Sequence, residues 1–205
     1  RTKAGSSFRA VAGKSSGGFG ALQLGMHHPD VFGLVVDHSG DKFFDACYYP
    51  DLLKIPDLLK AHDVEALVKD PYSYSKKHSG FFQLINLAAM SSCYSPSPDA
   101  PLGFEWPVDP HTGELRPDIW RQWKQHDPID QISAMKENLN KLRLLYFDCG
   151  NKDEYNLHLG ARLLHGKLQD AGIRHVYKEF DGTHRHTRHR IDTHLAQISS
   201  VFSQT

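Results

Sequence analysis

The chain has 205 residues with 24 basic and 24 acidic side chains, so its formal net charge is zero. That length suits one domain with a substantial core, and a balanced charge without a basic patch argues against nucleic acid as a partner. No apolar run reaches membrane-spanning length, and three scattered cysteines without a C-x-x-C pair exclude a disulfide framework or a structural zinc site.

The first element in chain order is Phe8–Ala12, a short apolar run that reads as a buried strand. Gly13-Lys14-Ser15-Ser16-Gly17-Gly18 follows, and the chain then reads as helix from Gly18 to His28. Pro29 ends it, because proline disfavours helix in the residue before it. Inside the turn lies G-x-S-x-G with Ser15 at its centre. A serine on a sharp strand-to-helix turn matches the nucleophile elbow of an α/β-hydrolase. Gly13 and Gly17 are expected to remove side chains that would clash across that turn. The helix starting behind Ser15 would aim free N–H groups at the place where negative charge develops. A phosphate-binding loop is the rival reading of Gly13-Lys14-Ser15, but it needs a glycine where Phe8 stands.

Leu34–Asp37 is a β-branched run without a polar face, as expected of a parallel strand covered on both sides. His38-Ser39-Gly40-Asp41 closes it with turn chemistry. From residue 42 to 125 the pattern changes. Leu52–Lys60 and Val64–Lys69 read as short helices, and Phe81–Met90 as a buried one. Prolines at 96, 98, 101, 107, 110 and 117 then mark a long irregular stretch containing Phe104 and Trp106. Long irregular chain in a compact domain usually forms a lid or binding loop. Trp120 and Trp123, three apart, share one face of a helix. The expected organisation is a core part over 1–41, a cap insertion over 42–125, and the rest of the core over 126–205. The aromatic residues Tyr94, Phe104 and Trp106 hint at an apolar acyl or aromatic group, although such residues pack cores just as readily.

After the insertion the βα pattern resumes. Ile129–Asn140 reads as helix, Leu142–Phe147 as strand, Tyr155–Ala171 as amphipathic helix, His175–Phe180 as strand and Asp192–Phe202 as a last helix. Strands alternating with helices imply a parallel sheet of about four strands with helices on both faces.

A serine hydroxyl needs a base to take its proton and a third group to orient that base. In α/β-hydrolases the chain order is Ser, acid, His, and the groups sit at the carboxyl ends of parallel strands. Asp148, Asp153 and Glu154 follow the third strand. Asp153 is favoured because it lies in the loop beyond the strand, Asp148 is expected to bond loop backbone, and Glu154 to be a first-turn helix charge. For the base, His184 follows a glycine turn directly after the last strand. His186 and His189 share its loop, where a His-x-His zinc site is the disfavoured alternative. The arginines and remaining histidines there are expected to be solvated, or to form a basic rim that attracts anionic substrates.

Three motifs, Gly13-Lys14-Ser15-Ser16-Gly17-Gly18, Asp148-Cys149-Gly150-Asn151-Lys152-Asp153 and Asp181-Gly182-Thr183-His184, together resemble the putative esterase family of α/β-hydrolases. That family includes S-formylglutathione hydrolase, enterochelin esterases, feruloyl and acetylxylan esterases and mycolyltransferases. The resemblance implies Ser15 as nucleophile, Asp153 as acid and His184 as base, with the backbone N–H of Ser16 as one oxyanion donor. It implies a small-molecule ester substrate and neither metal nor cofactor. Family members carry several strands before the nucleophile strand, whereas this chain starts at Arg1 with about eight residues there. The resemblance is therefore to the carboxyl-terminal portion of a longer hydrolase, with Arg1–Ser7 as the end of a linker. In that reading the second oxyanion donor is absent and an open strand edge near Phe8–Ala12 favours self-association.

Overall fold

The computed structural model describes residues 3–70, 72 and 80–203, so Arg1 and Thr2 of the expected linker lie outside the described residues. The chain divides into two units, one formed by 1–47 and 127–205, the other by 48–126.

In the first unit a short 3-10 turn, Ser6–Phe8, precedes β1 (Ala10–Lys14). The strand therefore begins two residues later than Phe8 and runs up to the residue before Ser15. Helix α1 (Ser16–His27) follows and ends where His28 precedes Pro29, as expected. Strand β2 (Leu34–His38) is buried at every position. Helix α2 (Phe44–Cys47) closes the amino-terminal part of this unit.

The second unit holds α3 (Tyr49–Leu52), α4 (Ile55–Ala61), α5 (Val64–Lys69), α6 (Phe81–Tyr94) and α7 (Pro117–Lys124). The helix expected over Leu52–Lys60 is thus two helices, the second with Pro56 in its first turn, where a missing N–H costs nothing. Asp63 caps α5 by accepting from the Ala66 N–H at 3.0 Å. Trp123 is fully buried and donates its indole N–H to Ser95 Oγ at 2.9 Å, and the Trp120 ring lies 5.9 Å from it. The proline-rich stretch is ordered by two antiparallel bridges, Pro96 with Phe104 and Val108 with Leu115.

The first unit resumes with α8 (Pro128–Lys141), capped by Asp127, whose carboxylate accepts from the Ile129 N–H. Strand β3 (Leu144–Gly150), α9 (Leu157–Asp170), β4 (Val176–Phe180) and α10 (Arg190–Phe202) complete it. The four strands form one parallel sheet in the order β1-β2-β3-β4. Side chains alternate between its faces. Leu34, Val36, Leu144 and Tyr146 form one buried cluster, against which Ile198, Val201 and Phe202 of α10 pack. Val35 points the other way, into α1, where a Cβ on Gly25 would strike its side chain. Helices α8 and α9 contact one another, with α8 also on α1 and α9 on β3 and β4. The sheet is thus covered on both faces, which explains the fully buried runs of β2 and β3. Among the described residues, no helix is long and apolar enough to cross a membrane.

Candidate active site

Ser15 sits between β1 and α1 with φ 56° and ψ −129°. A side-chain-bearing residue in that region costs on the order of 1–3 kcal/mol, which persists only where the surroundings impose it. Here they do. The Ser15 N–H donates to the His38 carbonyl at 2.9 Å, and the Ser15 carbonyl accepts the first helical bond from Phe19 at 3.0 Å. The hydroxyl makes no capping bond to the helix. A Cβ on Gly13 would run into the Gly17 carbonyl, so Gly13 is required by backbone contact. The expectation for Gly17 is corrected: a Cβ there meets nothing within 4 Å. The tight positions are Gly18 and Gly40, which both press on the Asp37 carboxylate. Asp37 accepts from the Gly40 N–H at 2.8 Å and pairs with the buried Lys42 ammonium at 2.8 Å, a fixed support beneath the elbow. Ser16 opens α1, so its N–H belongs to the first turn, whose donors have no intrahelical acceptor.

Asp153 and His184 meet directly. His184 Nδ1 lies 2.8 Å from Asp153 Oδ2, with the Asp153 side chain fully buried and the His184 side chain nearly so. An ionised carboxylate only accepts, so Nδ1 carries the proton and Nε2 is left as an acceptor. Asp153 also accepts from the Tyr155 N–H at 2.9 Å. Burial raises its pKa, but the bonds from His184 and Tyr155 outweigh burial and hold it below the usual carboxylate range. Cys149, whose thiol lies 3.7 Å from Asp153, is pushed up to about 12 by burial, so it stays a neutral thiol. The Asp-Cys-Gly sequence has a physical reason at its glycine. A Cβ on Gly150 would strike the carbonyls of Gly182 and Thr183, where the loop that carries His184 crosses the end of β3. Glu154 is corrected from a helix-turn charge: its carboxylate accepts from the His184 N–H at 2.7 Å and fixes the backbone there.

Asp148 differs from expectation as well. It bonds side chains rather than loop backbone. His38 Nδ1 lies 2.6 Å from Asp148 Oδ1, and Oδ2 accepts from His194 Nε2 at 3.0 Å, Tyr146 OH at 3.1 Å, and Arg190 Nε and Nη2 at 3.0 and 2.7 Å. Burial raises its pKa, yet the bonds from His194, His38 and Arg190 prevail and keep it well below the usual carboxylate range. Tyr146 is driven up to about 12, first by burial and then by the Asp148 charge. His38, Thr187, Arg190 and His194 are the residues that sequence reasoning passed over. One signal was available: Asp37-His38 interrupts an otherwise apolar strand, and polar side chains at such positions need buried partners.

The loop after β4 divides into two sets. Arg185, His186, Arg188 and His189 are exposed, as expected for solvated charges, whereas Thr187 is buried and Arg190 pairs with Asp148. His184, His186 and His189 do not gather into a ligand set. Among the described residues the only group with metal-ligand spacing is His38, Asp148 and His194. There the carboxylate is already engaged by the Arg190 guanidinium, a positive neighbour that disfavours a second cation. Of the two readings of the insertion's aromatic residues, the contacts seen are those of core packing. Phe104 and Trp106 are buried against each other edge to face at 4.9 Å, and Tyr94 packs on Trp123 and His126.

Three residues of one expected triad therefore leave the same carboxyl edge of a parallel sheet, Ser15 from β1, Asp153 from β3 and His184 from β4, on the fold of an α/β-hydrolase. A family model described as "Putative esterase" matches residues 1–198, and the chain belongs to that family. Among solved structures, a ferulic acid esterase matches with TM-score 0.53 and 16% identity, over 97% of this chain and 53% of its own. S-formylglutathione hydrolase from Staphylococcus aureus matches with TM-score 0.51 and 13% identity, over 96% of this chain and 55% of its own. Esterase E22 matches with TM-score 0.50 and 14% identity, over 94% and 60%. At these identities the likeness concerns the fold, and the chain spans little more than half the length of the structures it matches. No curated protein matches the chain significantly in sequence.

Proposed function

We propose that this chain carries the catalytic triad of a serine esterase, with Ser15 as nucleophile, His184 as base and Asp153 as the acid that orients it. The observation that carries the reading is the 2.8 Å bond from His184 Nδ1 to the buried Asp153, which leaves Nε2 to take a proton. Ser15 Oγ attacks the carbonyl carbon of a carboxylic ester while its proton passes to Nε2. The Ser16 N–H donates to the oxyanion. Collapse of the tetrahedral intermediate expels the alcohol, which takes the proton from His184, and leaves an acyl-Ser15. Water, deprotonated by the same Nε2, attacks the acyl carbon and releases the acid. Asp153 stays ionised throughout and stabilises the imidazolium. The substrate class is a small-molecule ester, and residues 42–125 are proposed as the cap. Acyl transfer to an acceptor other than water would use the same triad.

Labelling with a fluorophosphonate tests this. The wild-type chain should be modified at Ser15, and Ser15→Ala should abolish both labelling and hydrolysis of a short-chain aryl ester, while Ser16→Ala should be far milder because only its N–H is used. Labelling elsewhere, or equal loss in two folded variants, would remove Ser15 from the role. No labelling of a folded wild-type chain would refute the triad reading.

A further inference from the structure

We infer that Thr187, His38 and Asp148 form a clamp that positions the base-bearing loop, so that Thr187 acts as a positioning residue for His184. The inference rests on the triad reading above. His184 is held from the front by Asp153 and Glu154. The chain then turns through His186, whose φ is 57°, and reaches Thr187. The Thr187 hydroxyl lies 2.8 Å from His38 Nε2, and His38 Nδ1 lies 2.6 Å from Asp148. Ionised Asp148 accepts a hydrogen bond from Nδ1–H, so in the neutral ring Nε2 is an acceptor and the Thr187 hydroxyl donates to it.

Packing alone does not hold this segment. Arg185, His186, Arg188 and His189 are exposed. A cavity of about 640 Å³ opens beside it, lined in part by Lys14, His38, His186, Thr187, Arg188 and Leu195. Thr187 is the buried residue of the segment, 4% exposed, and its bond ties the loop to the end of β2. His38 cannot swing to follow the loop, since its ring stacks on Phe180 at 5.9 Å and lies 5.0 Å from the His194 ring. Asp148 is fixed in turn by Arg190 and His194, the first turns of α10, so the segment from Thr187 to His194 is tied to one carboxylate, directly at its far end and through His38 at Thr187. The clamp thus sets where His184 Nε2 sits, three residues before Thr187. It touches no reacting atom.

Thr187→Val keeps the shape and removes the hydroxyl, and Thr187→Ser keeps the hydroxyl. A displaced base costs turnover rather than affinity, so Thr187→Val should lower kcat for an aryl ester by about ten- to a hundredfold with KM within about twofold. Thr187→Ser should restore most of it. Wild-type kcat in Thr187→Val, or an equal loss in Thr187→Ser, would overturn the clamp. A second readout does not depend on turnover. The low-field proton signal of His184 Nδ1, assigned by its loss in His184→Gln, should persist in wild type and Thr187→Ser and broaden or vanish in Thr187→Val. Its persistence there would overturn the clamp even if the protein proved inactive. Ser15→Ala run alongside separates the two proposals: full activity in that variant would sink the triad reading and leave the proton signal to judge the clamp.

Discussion

Replacing Asp148 by Asn tests the charge at the centre of the network behind the sheet's carboxyl edge. The carboxylate accepts from His38, His194, Tyr146 and, twice, Arg190. An amide offers one acceptor oxygen and presents N–H groups to donors, so the Arg190 charge loses its partner. Breaking a buried pair by removing one member costs about 3–5 kcal/mol. The Arg190 side chain is 17% exposed, so water recovers part of that loss, and the lower end of the range applies. For a domain of this size about 3 kcal/mol corresponds to a Tm lower by roughly 6–12 °C. The pH dependence has a definite sign. The folded pKa of Asp148 lies below its unfolded value of about 3.9, so its stabilisation is complete above that pH and is lost as pH falls towards the folded pKa. Thermal melts followed by circular dichroism should therefore show a wide gap between wild type and Asp148→Asn at pH 7 that narrows below about pH 4. Asp153→Asn provides the contrast, since there the loss should be mainly kinetic, about 10⁴-fold in kcat, through the wrong His184 tautomer. A Tm change under about 2 °C for Asp148→Asn, or a gap that stays constant on acidification, would refute the argument. So would a larger kinetic loss in Asp148→Asn than in Asp153→Asn.

Gly13→Ala should prevent the elbow from forming and yield insoluble or strongly destabilised protein, whereas Gly17→Ala should be neutral or stabilise by up to about 1 kcal/mol through helix propensity; thermal melts of both decide it. EDTA should change neither ester hydrolysis nor Tm, because His38, Asp148 and His194 are already satisfied by one another and by Arg190; loss of activity restored by zinc would refute this.

The elbow was legible in the sequence because its cause is local. A glycine at 13, a serine at 15 and a following helix all act within one turn. The meeting of Asp153 and His184 was legible because parallel strands bring their carboxyl ends to one edge, so position after a strand constrains the side chain. What escaped was non-local. His38 meets Asp148 across a separation of 110 residues, a pairing fixed by the register of β2 on β3. Glu154 was misread because α9 starts later than expected, at Leu157, leaving that carboxylate in the loop where it meets His184. Gly17 was misread for the opposite reason. Its presence in the motif suggested a contact, while the crowding belongs to Gly13, Gly18 and Gly40.

The place of the second unit bears on how the chain folds. Residues 48–126 fall between β2 and β3, so the strand pair that seats both His38 and Asp148 has to wait for a distant segment. Tyr48 and Trp123, near the two ends of that unit, have ring centroids 6.1 Å apart. If the unit condenses first, its ends come together and the loop to be closed shrinks from 110 residues to about 30, which lowers the closure cost by about 1 kcal/mol. The insertion would then serve as an internal tether during synthesis, emerging and collapsing before the third strand appears. Substitutions that loosen it, such as Trp123→Ala, would slow refolding of a sheet they do not belong to.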